Sequence, residues 1–291
     1  MESCSGVSRA TEIDVASLID GYTCLLLDAY GVLLDQSGPL PGAAALIRHL
    51  NAIGKPYYIL SNSASTLPER MAAALAEMGL PIPEHRLITA GLLLTPYFQG
   101  HGLVGGRCIT LGTGDSLSYV VRAGGTVVSP DTAGLVAAVI IADQAGFPLL
   151  EALDDTLSVI LRQLDRQEPI QLLLCNPDLI YPRVPGRFGF TAGGLAAMLE
   201  AVLGERYPAQ SYGFVRLGKP YHGMFAESVA RAGTRDMVMI GDQLTTDVLG
   251  ANRFGIDSVL TNTGLGIGSR PFARDRRLAP KYTLRSLHLG P

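Results

Sequence analysis

Tyr22-Thr-Cys-Leu-Leu-Leu27 runs straight into Asp28-Ala-Tyr-Gly-Val32. A continuous apolar run closed by a polar residue suits a strand buried on both faces, the usual state of strands in a parallel sheet. The chain beyond it keeps alternating. Pro41 opens PGAAALIRHLNAIG, a helical stretch with proline near its start and Gly54 past its end. A second strand over residues 57–60 ends in Ser61-Asn62-Ser63, and the helix LPERMAAALAEM stops at Gly79. Strand, helix, strand, helix in short order predicts a parallel sheet with crossover helices.

The alternation returns in the last third, with strands over 214–217, 237–240 and 258–261. Helices are expected over 224–232 and, after Gly241-Asp242, through Val248 and Ala251. The middle carries strands near 108–111, 136–142 and 172–174, and its longest helix is expected over 149–166. The fold class expected is α/β: a doubly wound, Rossmann-like parallel sheet built from both ends of the chain, with an α/β insertion between them. The boundaries drawn are 14–98 with 206–291 for the core and 99–205 for the insertion.

Composition narrows the classes of function. The chain has 291 residues, 47% hydrophobic and 17% charged, against a usual charged share of about 25%. That excludes a disordered chain. The 34 glycines are an enrichment that many strand-to-helix turns would produce. A net charge of -3 leaves no electrostatic footprint for nucleic acid. Cys4, Cys24, Cys108 and Cys175 have no metal-knuckle or redox spacing, so free thiols in a reducing compartment are expected. The polar stretch from Met1 to Asp14 does not read as a signal peptide, and no apolar run approaches the ~20 residues that span a bilayer. The expectation is a soluble, cytoplasmic protein without membrane partners.

In open α/β sheets the reactive groups lie at the carboxyl ends of the strands. Four such ends are polar here: Asp28-Ala29-Tyr30-Gly31, Ser61-Asn62-Ser63, Gly218-Lys219-Pro220, and Gly241-Asp242 with Asp247 beyond. Carboxylates gathered at one edge repel each other unless a cation sits among them, and carboxylates with waters suit Mg²⁺. A lysine and a hydroxyl, assisted by backbone N–H groups, could hold an anion such as phosphate.

The order of these motifs resembles the haloacid dehalogenase-like (HAD) hydrolase superfamily, and most of all its class IIA sugar- and aryl-phosphate phosphatases. The matching pieces are LLLDAYGVL, ILSN, TAG, CNPD, LGKP and IGDQLTTDVLGANRFGIDSVLTNTG. The resemblance implies that Asp28 is a nucleophile that becomes an aspartyl phosphate. It implies that Asp28, the carbonyl of Tyr30, Asp242 and Asp247 form a Mg²⁺ site, and that Ser61, Asn62, Ser63 and Lys219 hold the phosphoryl group of a small phosphorylated metabolite. Only 33 positions separate Asp28 from Ser61, whereas 158 separate Ser61 from Lys219. That placement of the insertion is the class IIA arrangement, whose α/β cap would carry Asn176, Asp178, Gly193 and Gly194. A homodimer paired through caps is a further implication, which the sequence itself leaves open.

Each residue also has a plainer reading. A lone Asp after a strand is commonly a cap or turn residue, Asp242 with Asp247 could cap a helix, and Asn176-Pro177-Asp178 is a common turn sequence. One position departs from the family pattern. Its phosphatases usually carry a second Asp two residues after the nucleophile, as proton donor, and here that residue is Tyr30. An ordinary tyrosine titrates near ~10, far from the working pH of an acid catalyst. Asp35 is a candidate substitute. The same position keeps two alternatives open: a 2-haloacid dehalogenase, and a catalytically weak phosphate-binding protein.

Overall fold

The computed structural model describes residues 10–131, 134–184, 186–261 and 275–290. Cys4, residues 262–264 of the last motif and most of the Met1-to-Asp14 stretch lie outside these residues. The described chain divides into two units. One draws on Met1–Ser61, Met71–Ile88 and Lys219–Pro291, and the other on Asn62–Arg70 and Thr89–Gly218.

The first unit is organised by a seven-stranded sheet in the order Thr11–Glu12, Tyr282–Leu284, Asp257–Thr261, Met237–Gly241, Cys24–Asp28, Tyr57–Ser61, Leu87–Thr89. The pairings from Thr11–Glu12 across to Tyr57–Ser61 are all parallel. All five residues of Cys24–Asp28 are buried, as a central strand covered on both faces requires. The helix Ala43–Ala52 buries Ala43, Leu46, Ile47 and Leu50, spaced to share one face, and the chain leaves it through Gly54 at φ +67°. From Cys24–Asp28 the chain steps outward to Leu87–Thr89, then re-enters on the opposite side with Met237–Gly241. The direction of winding therefore reverses between these two central strands. Their carboxyl ends splay the following loops apart and open a crevice.

The second unit repeats the plan with five parallel strands: Val215–Arg216, Gln171–Leu174, Ala138–Ile141, Arg107–Leu111 and Thr126–Val128. Helix Leu149–Asp165 lays Ala152, Leu153, Val159, Ile160 and Leu164 into a core completed by Leu195, Leu199 and Leu203. An antiparallel hairpin, Ile180–Val184 with Arg187–Phe190, stands apart from that sheet.

Two differences from the sequence reading matter. The strand expected over 214–217 forms as Val215–Arg216, but it pairs with Gln171–Leu174 in the second sheet. A short apolar run carries no mark of the sheet it will join. The second unit thus runs on to Gly218 and also takes in Asn62–Arg70, wider than residues 99–205. In addition, the helix expected through Val248 and Ala251 is a π-helical turn, Leu244–Val248, followed by the α-helix Leu249–Phe254. Such wide turns occur often at functional sites.

Cys24, Cys108 and Cys175 are buried free thiols, and burial pushes them up to about 11, 11 and 12. No helix among the described residues is long and apolar enough to cross a membrane.

Candidate active site

Asp28 closes the central strand, and Asp242 directly follows the neighbouring one, where Ile240 lies across from Leu27. The topology alone brings these two carboxylates to the lip of one crevice. Two glycines make the close approach possible. Gly31 sits at φ +87°, and a Cβ there would lie 2.3 Å from Asp242 Oδ2. A Cβ on Gly241 would lie 2.2 Å from the Cβ of Asp247. Neither position can carry a side chain without moving an acid. The π-turn then directs Asp247 back towards the strand end, where its Oδ2 accepts from the N–H of Gln243 at 3.1 Å.

Lys219 joins the acids from the start of the last segment of this unit. Its Nζ donates to Asp28 Oδ1 and to Asp247 Oδ1, at 2.7 Å each. Asp28 Oδ1 also accepts from the N–H of Ala29 at 2.8 Å. All four side chains are buried: Asp28 is 7% exposed, Asp242 7%, Asp247 0% and Lys219 2%. One carboxylate oxygen from each acid lies within 4.8 Å of the others.

Three carboxylates against one ammonium leave two surplus negative charges when all are ionised. At about 4 Å and an effective dielectric of 20, each like pair repels by about 4 kcal/mol. The titration directions follow. Burial holds the Asp28 carboxyl well above the usual range; Asp247 and Asp242 add to that, and Lys219 opposes it. Burial alone would lower Lys219, but Asp247 and Asp28 outweigh it and raise the ammonium above its ordinary value. The all-oxygen donor set and its surplus charge fit a hard divalent cation of the Mg²⁺ or Ca²⁺ kind.

Tyr30 does not join this cluster through its ring, which is 41% exposed. Burial of the phenol and the nearby Asp35 carboxylate both raise it further above 10. Asp35 lies in a short hairpin, where its Oδ1 accepts from the N–H of Ser37 at 2.7 Å. Ser61 is the last residue of the strand beside Asp28, one step beyond the Asp28–Leu60 pair.

The remaining expected residues come together in the second unit. Asn62 is 8% exposed, and its Nδ2 donates to both carboxylate oxygens of Asp178 at 3.3 Å. Asn176 Oδ1 accepts from the N–H of Asp178 at 3.0 Å, which closes the turn expected of Asn-Pro-Asp. Thr191 Oγ1 donates to the carbonyl of Asp178. Gly193 presses on the same loop, since its Cβ would lie 2.3 Å from that carbonyl oxygen. The turn reading and a contact with Asn62 are both realised. Ser63 Oγ lies 3.2 Å from Ser65 Oγ.

Sequence reading missed Thr113, Ser116 and Tyr119, which bond to the segment after Asn62. Thr113-x-x-Ser116 is a visible helix-start signal and forms a capping box. Its reach to a distant segment has no local mark.

A model of the haloacid dehalogenase-like hydrolases matches residues 25–126, and a HAD-hydrolase-like model matches residues 216–288. The chain is 26% identical over 248 residues to a dihydroxyacetone phosphatase of Corynebacterium glutamicum, covering 82% of this chain and 81% of that protein. A possible sugar phosphatase from Cytophaga hutchinsonii has a similar structure, with TM-score 0.80 and 29% identity over 97% of this chain and 100% of that one. A glycerol phosphate phosphatase from Mycobacterium tuberculosis, solved with magnesium, superposes with TM-score 0.73 at 23% identity, over 93% of this chain and 76% of that one. The doubly wound sheet, the acids at its reversal point and the two models, which together span more than half the chain, agree: this chain belongs to the haloacid dehalogenase-like hydrolases.

Proposed function

We propose that the chain is a Mg²⁺-dependent phosphatase of a small phosphorylated metabolite, working through an aspartyl phosphate on Asp28. One observation carries the reading: three buried carboxylates converge within 4.8 Å beside a buried lysine. Asp28, Asp242 and Asp247 would hold the cation, together with the carbonyl of Tyr30. Bound there, Mg²⁺ would supply charge for the phosphoryl oxygens and offset the repulsion among the acids.

Asp28 Oδ1 is fixed by Lys219 and by the N–H of Ala29. Oδ2 is the oxygen assigned to attack phosphorus. The Oδ2–P bond forms as the ester P–O bond breaks, and water then cleaves the acyl phosphate to release inorganic phosphate and restore the carboxylate. Lys219 and the Ser61 hydroxyl counter the charge on the phosphoryl oxygens. The Asn62 amide, anchored by Asp178, is the second unit's candidate phosphoryl contact. The second unit takes the part of the substrate-selecting cap, with Asn176 and Asp178 among its candidate contacts. Three buried free thiols accord with a cytoplasmic setting.

Tyr30 sharpens the substrate class. With no carboxyl two residues beyond the nucleophile, the departing oxygen lacks its usual proton donor. The substrates best served are aryl and acyl phosphates, whose leaving groups depart as stable anions. The dehalogenase reading is weakened by Gly31 and Gly241, which clear space for an acid pair that attack on carbon would not use.

The test compares an aryl phosphate, an alkyl phosphate and a 2-haloacid, each with Mg²⁺ and with chelator. Wild type should hydrolyse the aryl ester only with Mg²⁺. Tyr30→Asp should raise alkyl-phosphate turnover by about 100-fold, the scale of general acid catalysis. Halide release in chelator would replace the phosphatase with a dehalogenase. Equal wild-type rates on both esters would remove the role given to the Tyr30 position.

A further inference from the structure

We infer that Thr113, Ser116 and Tyr119 are positioning residues: three hydroxyls at the start of one helix that set the main chain immediately after Asn62 and so position Asn62 and Ser63 for the phosphoryl contact proposed above. The inference rests on the phosphatase reading and names what holds that part of the site in place.

The three residues follow one another at intervals of three along the start of helix Gly114–Arg122, so they line one face. Their acceptors are successive carbonyls. Ser116 Oγ donates to the carbonyl of Ala64 at 2.7 Å, Thr113 Oγ1 to that of Ser65 at 2.7 Å, and Tyr119 Oη to that of Thr66 at 2.8 Å. The next residue is gripped as well, since the N–H of Leu67 donates to Asp115 Oδ2 at 3.0 Å. Four consecutive residues therefore each give one main-chain group to this helix.

An ordinary cap would not need this. Thr113 and Ser116 already satisfy the helix start by accepting from each other's N–H groups, at 3.3 and 3.0 Å. Each hydroxyl has one proton left, and both protons go to the segment following Asn62. Ser116 is 0% exposed and Tyr119 2%, so water cannot take over the carbonyls they hold. Gly91 clears room for the Tyr119 ring, since a Cβ there would lie 2.6 Å from it. Thr113, whose hydroxyl holds the Ser65 carbonyl, lies just beyond the strand Arg107–Leu111.

The experiment uses the full chain with Mg²⁺ and an aryl phosphate, and reads kcat, KM, the inhibition constant of orthovanadate and Mg²⁺ affinity at 25 °C. Thr113→Val, Ser116→Ala and Tyr119→Phe each remove one donor. Each should weaken vanadate binding and raise KM by about 3- to 10-fold, the effect of one such bond. Mg²⁺ affinity should stay within twofold, because the acids belong to the other unit. Thr113→Ser should restore wild-type values. Tyr119→Phe keeps the buried ring and serves as the readable variant should the other two fold poorly. Lower thermal stability in all three with vanadate binding within twofold of wild type would overturn the inference. Wild type that binds no vanadate with Mg²⁺ present would instead overturn the phosphatase reading, and the inference with it.

Discussion

The two parallel sheets of this chain reverse their winding in the same way, yet they fill the resulting crevice with opposite chemistry. In the first, the reversal lies between Cys24–Asp28 and Met237–Gly241, and three acids and a lysine occupy it. In the second, it lies between Arg107–Leu111 and Ala138–Ile141, and there the chain's own Ser65 carbonyl accepts from the Thr113 hydroxyl. Topology supplies a crevice in both cases. What decides its use is whether the polar groups at the strand ends are satisfied from within. At the second reversal, the hydroxyls of Thr113 and Ser116 and the carboxylate of Asp115 meet main-chain groups of the chain itself. At the first, like charges converge in a buried place, and a divalent cation would offset them.

The largest effect expected of this contrast is at Asp28. Asp28→Asn keeps the volume and removes the nucleophile, so turnover should fall by at least about 10⁴-fold while the protein remains folded. Steady-state rates together with a thermal melt check both halves. Residual turnover near wild type would move the attack to another group.

Lys219→Met comes next. It leaves Asp28 and Asp247 buried without their shared donor, and breaking a buried pair costs about 3–5 kcal/mol. Denaturant unfolding in chelator should show this loss. Added Mg²⁺ should recover part of it, since a ligand at 100 times its Kd contributes about 2.7 kcal/mol. An unchanged midpoint would mean that the acids do not depend on the ammonium.

The smallest effect belongs to Asp143, an acid just beyond Ala138–Ile141 at the second reversal. Burial raises its carboxyl above the usual value, against the lowering bonds from Ala145, Gln144 and Ser65. An acid raised in the folded state binds its proton more tightly there than in the unfolded chain. Its penalty is absent below the unfolded value near ~4 and grows as pH rises through the folded one. The stability difference between Asp143→Asn and wild type should therefore shift in favour of the variant over that window. The Mg²⁺-induced rise in melting temperature should be the same in both proteins. A loss of that rise in Asp143→Asn would erase the distinction between the two crevices.

Much of the fold was legible in the sequence because its signals are local. The apolar run into Asp28, the helix between Pro41 and Gly54, and the strand closing at Gly241 each appear within a few residues of their expected bounds. The first sheet's acids and Lys219 were all named from strand ends. The assignment of Val215–Arg216 to the second sheet was not legible, because pairing partners are chosen by packing between distant segments. The π-turn was hidden for a related reason. Within Leu244–Val248, Asp247 bonds to Lys219, 28 positions earlier, as well as to the N–H of Gln243, and the distant partner leaves no mark in the local sequence. Asn62 was read as a phosphoryl ligand; its link to Asp178 spans 116 positions and leaves no trace in either motif.

The sequence by itself determined which chemistry the chain carries: the identity of three acids, one lysine and a tyrosine at strand ends, and the glycines that must stand beside them. Those are properties of single residues and of turns a few residues long. Tertiary structure alone decided which of these groups share a charge environment, which crevice is closed by the chain itself, and that the segment after Asn62 belongs with the second unit. Burial, mutual repulsion and hydrogen-bond satisfaction depend on distances across the fold, and spacing along the chain does not contain them.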